Sequence, residues 1–159
     1  MDMSRPKQLD SPLVPKVMRV LSRAHVRLYR ATGGRVGGTW RIGSALRRGV
    51  PTCLLTTTGR RSGRQHTTPL LSMRDGERVV LVASQGGLPR HPSWYHNITA
   101  HPDVVVQIGR EVRRMRARTA GEDERAELWP RLVDLYADFA TYQSWTDRTI
   151  PVVVCEPPD

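Results

Sequence analysis

Between residues 12 and 30 the chain repeats an apolar position at Val14, Val17, Met18, Leu21 and Leu28, with His25 on the same stripe. That is the i, i+3, i+4, i+7 rhythm of one helix face, and Lys16, Arg19, Arg23, Arg27 and Arg30 surround it. Ser11 suits the N-cap and Pro12 or Pro15 the first turn, while Gly33-Gly34 and Gly37-Gly38 end the helix and make a flexible connection. Two fates fit such a helix equally: packing on the rest of its own chain, or lying on an anionic bilayer.

From Pro51 the rhythm shortens to two. Thr52–Thr58 is a β-branched run, residues 60–64 interrupt it, and His66–Arg74 resumes. Asp75-Gly76 predicts a hairpin turn into Arg78–Ser84. Ser93–Ala100 reads as a short helix with Trp94 and Ile98 on one face. Asp103–Ile108 and Glu111–Thr119 form a second hairpin, with Arg114, Arg116 and Arg118 opposite Met115 and Ala117. Glu122–Tyr142 is predicted as one amphipathic helix with Leu128, Leu132, Leu135, Tyr136 and Phe139 inward and a kink at Pro130. Thr149–Cys155 closes the chain as a strand. Hairpins with a few helices, without βαβ alternation, predict a mainly β, α+β fold: a small barrel of about six antiparallel strands with helices at its mouth. Residues 1–48 would be the basic helix and its Gly-rich linker, and 49–159 the barrel domain.

Charge adds an asymmetry. The net charge is +10, and residues 1–66 hold 14 Lys/Arg against 2 Asp/Glu, whereas residues 67–159 hold 11 against 13. A one-sided basic field suits phosphate, polycarboxylate, anionic lipid or nucleic acid. No apolar run approaches the roughly 20 residues of a membrane span, and the N-terminus has no signal-peptide core. Cys53 and Cys155 stand alone in apolar segments, which predicts buried thiols in a reducing, cytoplasmic setting.

The chemistry-bearing segments are three. Thr58-Gly59-Arg60-Arg61-Ser62-Gly63-Arg64 is a strand running into a Gly-bracketed basic turn, able to form an anion nest with a hydroxyl and two or three guanidiniums; a solvated turn is the plainer reading. Val82-Ala83-Ser84-Gln85-Gly86-Gly87 lets backbone approach a planar ligand, with Trp94 near enough to stack. Tyr142–Pro151 is dense in polar and aromatic groups and either closes a pocket or caps the barrel. His91, His96 and His101 recur every five residues, the wrong spacing for a metal on a helix, and no metal site is predicted. GxSxG, HExxH and GxGxxG are all absent, which disfavours hydrolase, zinc-protease and Rossmann readings. The arginine strand at 114–118 lacks the aromatics of a single-strand nucleic-acid binder, so no nucleic-acid partner is expected.

Taken together, LLTTTGRRSG, TPLLSMRDGERVVLVASQGG, HPSWYHNITAHPDV and TYQSWTDRTIPVVVCEP resemble the deazaflavin (coenzyme F-420)-dependent nitroreductase and quinone reductase family over roughly residues 50–157. The resemblance implies a split β-barrel related to flavin-binding reductases, and hydride transfer from the reduced deazaflavin to a quinone-like, enone or nitro acceptor, menaquinone among them. It implies a phosphate site at Arg60, Arg61, Ser62 and Gly63, with the cofactor's polyglutamate tail along the basic N-terminal part. Pro69, Val82, Ser84, Gly86, Gly87 and Trp94 would line the ring. Ser84, Tyr136 and Tyr142 would face the acceptor as the catalytic group. Gln85 stands where Lys is frequent and His66 where Arg is frequent, so this anion clamp leans on Arg60, Arg61 and Ser62. Leu71 and Phe139 stand where the family can carry tyrosines, which leaves the acceptor open. An FMN- or haem-binding split barrel, a non-catalytic deazaflavin carrier and a nucleic-acid binder are the rival readings. Monomer and homodimer both fit, as does peripheral docking through residues 12–30 on the inner face of the cell membrane.

Overall fold

The computed structural model describes residues 13–158; Ser11 and Pro12 lie outside them. Helix α1 (Val14–Thr32) has Pro15 in its first turn and stops at Gly33, which takes the left-handed conformation (φ 59°) that a side chain disfavours. Its apolar stripe does not face the sheet. Val17, Met18, Leu21 and Leu28 are each more than half exposed, and the buried residues are Val26 and Tyr29. The Tyr29 hydroxyl donates to the Thr52 carbonyl (2.9 Å) and accepts from the Gly109 N–H (2.8 Å). A polar-tipped aromatic thus fastens α1, because two buried main-chain groups need a partner there.

The strands are β1 (Thr39–Trp40), β2 (Val50–Thr58), β3 (Gln65–Leu71), β4 (Met73–Asp75), β5 (Arg78–Val82), β6 (Asp103–Ile108), β7 (Glu111–Thr119) and β8 (Val152–Glu156). They run antiparallel in the order β1-β2-β6-β7-β8-β5-β4, with β3 on the other side of β2. Eight strands are seen where six were expected, for two reasons. Two residues of the expected linker pair with Val50 and Pro51 as β1. The run His66–Arg74 is divided at buried Ser72: up to there it pairs with β2, the Ser72 N–H still reaching the Pro51 carbonyl (2.9 Å), and from Met73 on it pairs with β5. The curled sheet is a split β-barrel.

Alternation builds two cores from one sheet. Val79 and Leu81 of β5, with Val153 and Cys155 of β8, face a cluster closed by Trp94 and Ile98 of helix α2 (Ser93–Ala100). Val80, Val82, Val152 and Val154 face the opposite cluster, closed by Leu128 and Leu132 of helix α3 (Glu122–Leu135) and Phe139 of helix α4 (Asp138–Ser144). Strands buried on both sides need a continuous apolar run, which is what RVVLV and PVVVC supply. On β7, Met115 and Ala117 are buried and Arg114, Arg116 and Arg118 exposed, as the alternation predicts. The single helix expected over 122–142 is two. The break lies at Tyr136 (φ −145°), not at Pro130, which stays helical. Extended backbone there turns the Tyr136 ring into the second core, 5.0 Å from the Phe139 ring.

Cys53 and Cys155 are free thiols in the first core. Burial pushes both up to about 12, so neither is a thiolate at neutral pH.

Candidate functional site: an arginine-walled cleft and an aromatic loop

The turn after β2 is tied on itself. The Gly59 N–H donates to the Arg64 carbonyl (2.7 Å), the Gly63 N–H to the Gly59 carbonyl (2.9 Å), and the Arg64 N–H to Ser62 Oγ (3.2 Å). Gly63 takes φ 67°, and a Cβ at Gly59 would stand 2.6 Å from Ser62 Oγ and 2.9 Å from His66 Nε2. The two glycines therefore let the turn close with Ser62 and His66 folded over Gly59.

Asn97 of α2 holds the base. Its Oδ1 accepts from the Arg60 N–H (3.1 Å) and its Nδ2 donates to Thr57 Oγ1 (3.1 Å). Asn97 is buried, and sequence reasoning passed it over; the signal was an amide on the same helical face as Trp94 and Ile98, where a polar residue needs an internal partner. This arrangement narrows the nest. The N–H groups of Gly59, Arg60, Gly63 and Arg64 are already used, so an anion here is recognised mainly by side chains.

Those side chains wall a cleft of about 800 Å³ between the turn and α1. Arg19, Arg23, Arg27 and Arg30 come from the helix, Arg60 and Arg61 from the turn, and Ser62, His66 and Trp94 complete the floor. Among the described residues no Asp or Glu lines it. Arg30 donates to Thr67 Oγ1 (3.1 Å) on β3, which fixes one side of the gap. Ser62 Oγ accepts from Arg64, leaving its own proton to donate. Unpaired guanidiniums facing one another repel, and a polyanion relieves that.

The other predicted residues gather at a second place. Ser84 and Gly87 are buried, and Gln85, Gly86 and Gly87 all have positive φ (44°, 61° and 76°). Gln85 is the one non-glycine residue with positive φ among those described. A Cβ on Gly87 would lie 2.7 Å from the Tyr142 carbonyl oxygen and 3.2 Å from Trp145 Cβ, so α4 rests directly on this loop. Tyr142 is half-buried, and its hydroxyl meets that of Tyr136 at 3.2 Å. Tyr136 is only 3% exposed; burial first, then the Tyr142 hydrogen bond, pushes its hydroxyl far above the usual tyrosine range, so it stays protonated. Val82 packs in the second core, Pro69 is half-buried on β3 opposite Leu54, and neither lines the arginine cleft. Trp94 links the two places. It lines the cleft and packs in the first core with Ala83, the residue before Ser84. Among the described residues no three His, Cys, Asp or Glu side chains gather to hold a metal.

A model of the family described as F420H(2)-dependent quinone reductase matches residues 21–157. The chain belongs to this family. A Mycobacterium tuberculosis protein whose name assigns it to the same family is 48% identical over 117 residues, 74% of this chain and 98% of that one. The solved structure of an F420-H2 dependent reductase (FDR-A) matches with TM-score 0.63 and 43% identity, over 67% of this chain and 94% of its own. A solved structure described as a domain-swapped dimer matches with TM-score 0.64 and 33% identity, over 87% and 98%. The F420H(2)-dependent quinone reductases are oxidoreductases, and the hydride donor is the reduced deazaflavin coenzyme. An acid-free arginine cleft beside a backbone-lined aromatic loop fits a planar ring carrying an anionic tail. As a member of that family the chain is a reductase.

Proposed function

We propose that the protein passes a hydride from reduced deazaflavin to a quinone-like acceptor, menaquinone among the candidates and nitroaromatics or enones within reach of the same chemistry. The acid-free arginine cleft running up to Trp94 carries this reading. Arg60, Arg61 and Ser62, with Gly63 closing the turn and His66 beside it, would hold the cofactor's phosphate, and the α1 arginines its acidic tail. Pro69, Val82, Ser84, Gln85, Gly86, Gly87 and Trp94 would bound the ring. The bound coenzyme supplies a hydride from a carbon centre, so the protein's share is to stack, orient and exclude water. Oxygen on the acceptor gains negative charge as hydride arrives, and a donor placed there stabilises it. Tyr142 can be that donor, because the Tyr136 hydroxyl, held protonated, can donate to the Tyr142 oxygen and leave the Tyr142 proton pointing outward. Ser84 is the alternative donor.

The test is turnover of reduced coenzyme against a panel of quinones, nitroaromatics and enones, followed by absorbance. Tyr142→Phe is expected to lower kcat about 10–1000-fold with cofactor affinity within a factor of about two. Unchanged kcat transfers the donor role to Ser84, and no turnover with any acceptor overturns the reductase reading in favour of a carrier.

The exposed face of α1 supports docking on a membrane, where a lipophilic quinone resides. No helix among the described residues is long and apolar enough to cross one. Val17, Leu21 and Leu28 nevertheless lie exposed along one side of α1, away from the arginines that wall the cleft. Vesicles containing anionic lipid are expected to carry the protein upward in flotation, and Val17→Glu with Leu21→Glu to abolish this while leaving turnover of a water-soluble quinone intact. Equal flotation of both proteins removes the docking role.

A further inference from the structure

The segment after α4 carries Arg148, whose guanidinium has no carboxylate partner among the described residues, yet all five of its N–H groups are engaged. Nε donates to the Leu88 carbonyl (2.9 Å). Nη1 donates to the Ala83 carbonyl (3.3 Å) and to His91 Nδ1 (2.9 Å). Nη2 donates to the carbonyls of Ala83 (3.2 Å) and Ser84 (2.8 Å). The residues so gathered flank the positive-φ run Gln85–Gly87. Arg148 is itself held from behind: Gln143 Nε2 donates to its carbonyl (2.8 Å), and Gln143 Oε1 accepts from the Ile150 N–H (2.9 Å) and from Arg125 (3.2 Å). A run of left-handed residues that includes a non-glycine does not persist on its own preferences; the surroundings must over-determine it. Here one planar fork does so from the far end of the sequence.

We infer that Arg148 is the positioning residue of the Ser84–Gly87 loop, and that by donating to His91 Nδ1 it fixes His91 as the neutral tautomer with its proton on Nε2. That this loop bounds the cofactor ring rests on the function proposed above. The groups around His91 agree with a neutral ring. Tyr95 lies 4.8 Å and His96 5.8 Å away between ring centroids, Arg148 is the nearby cation, and burial followed by Arg148 and His96 lowers the proton affinity of His91. A lysine keeps the charge but has neither the plane nor the five donors. The fork rather than the charge is therefore what positions the loop.

The first test needs no variant. Nitrogen NMR of the wild-type protein at neutral pH is expected to show His91 neutral and protonated at Nε2; a proton on Nδ1 overturns the inference. The second compares Arg148→Lys and Arg148→Met. Both are expected to lower kcat with reduced coenzyme roughly 100-fold and to shift the absorbance band of the bound coenzyme, while inorganic pyrophosphate binds as in the wild type. Full rescue by Arg148→Lys overturns the role of the fork, and wild-type kcat in Arg148→Met overturns the positioning role altogether. If Arg148→Met moves the His91 resonances but the coenzyme band stays put, the clasp holds the loop and the placement of the ring is what fails.

Discussion

Gly87→Ala is expected to cost about 2 kcal/mol or more, against about 1 kcal/mol for Gly86→Ala. Both residues have positive φ, 76° and 61°, so both substitutions carry the left-handed penalty. They differ in what the new methyl meets. At Gly86 nothing lies within 4 Å, whereas at Gly87 the Tyr142 carbonyl oxygen would stand at 2.7 Å and its Cα at 3.1 Å. Those are main-chain atoms, which cannot rotate away, so α4 must lift. For a domain of this size Gly87→Ala should lower Tm by roughly 4–8 °C, and Gly86→Ala by about half as much. Lifting α4 also moves the Tyr142 hydroxyl, so kcat should fall about 100-fold in Gly87→Ala. A melting temperature and kcat equal to those of Gly86→Ala would show that α4 does not rest on this loop.

Loss of coenzyme affinity is the second large effect. Arg60→Ala combined with Arg61→Ala removes two guanidiniums that are exposed and make no ion pair among the described residues. Each charge-assisted bond to a phosphate is worth about 1.5–3 kcal/mol, less where water competes, so Kd should rise about 100-fold for the pair. Stability should hardly change, because neither side chain is buried or bonded, and relief of repulsion offsets any lost contact. The wild-type Kd should weaken with added salt and the double variant's much less. An unchanged Kd, read by quenching of coenzyme fluorescence, would remove the turn from the phosphate site and leave the α1 arginines as the remaining cations.

Much of this fold is legible in the chain, and the misses have physical causes. The hairpin of β6 and β7 and the helix α2 could be bounded to the residue, because turn glycines and the switch from period two to period 3.6 are local signals. Ser72 and Tyr136 were not readable as breaks, since each is set by distant partners: the change from β2 to β5 as the paired strand for one, the second core for the other. The orientation of α1, left open between packing and a bilayer, was unreadable for the same reason. Its apolar stripe stays exposed, and the contact that fastens the helix is the Tyr29 hydroxyl reaching main-chain groups of β2 and the β6–β7 turn. The site shows the same division. Arg60, Arg61 and Ser62 announce themselves by composition, whereas Asn97 and Arg148 act through backbone groups up to 65 residues away, a pairing that no local pattern reveals.

The double-sided burial of β5 sets a constraint on how this protein can drift. Leu81 faces Trp94 in the first core, and Val82, one residue on, packs with Tyr136 and Tyr142 in the second. The two compartments share a party wall a single backbone thick. Trimming or enlarging any brick in that wall is felt in both rooms, so the two cores cannot be repacked independently through β5 or β8. Variation that alters one and spares the other has to enter from the roof and floor, through α2 on one side and α3 and α4 on the other.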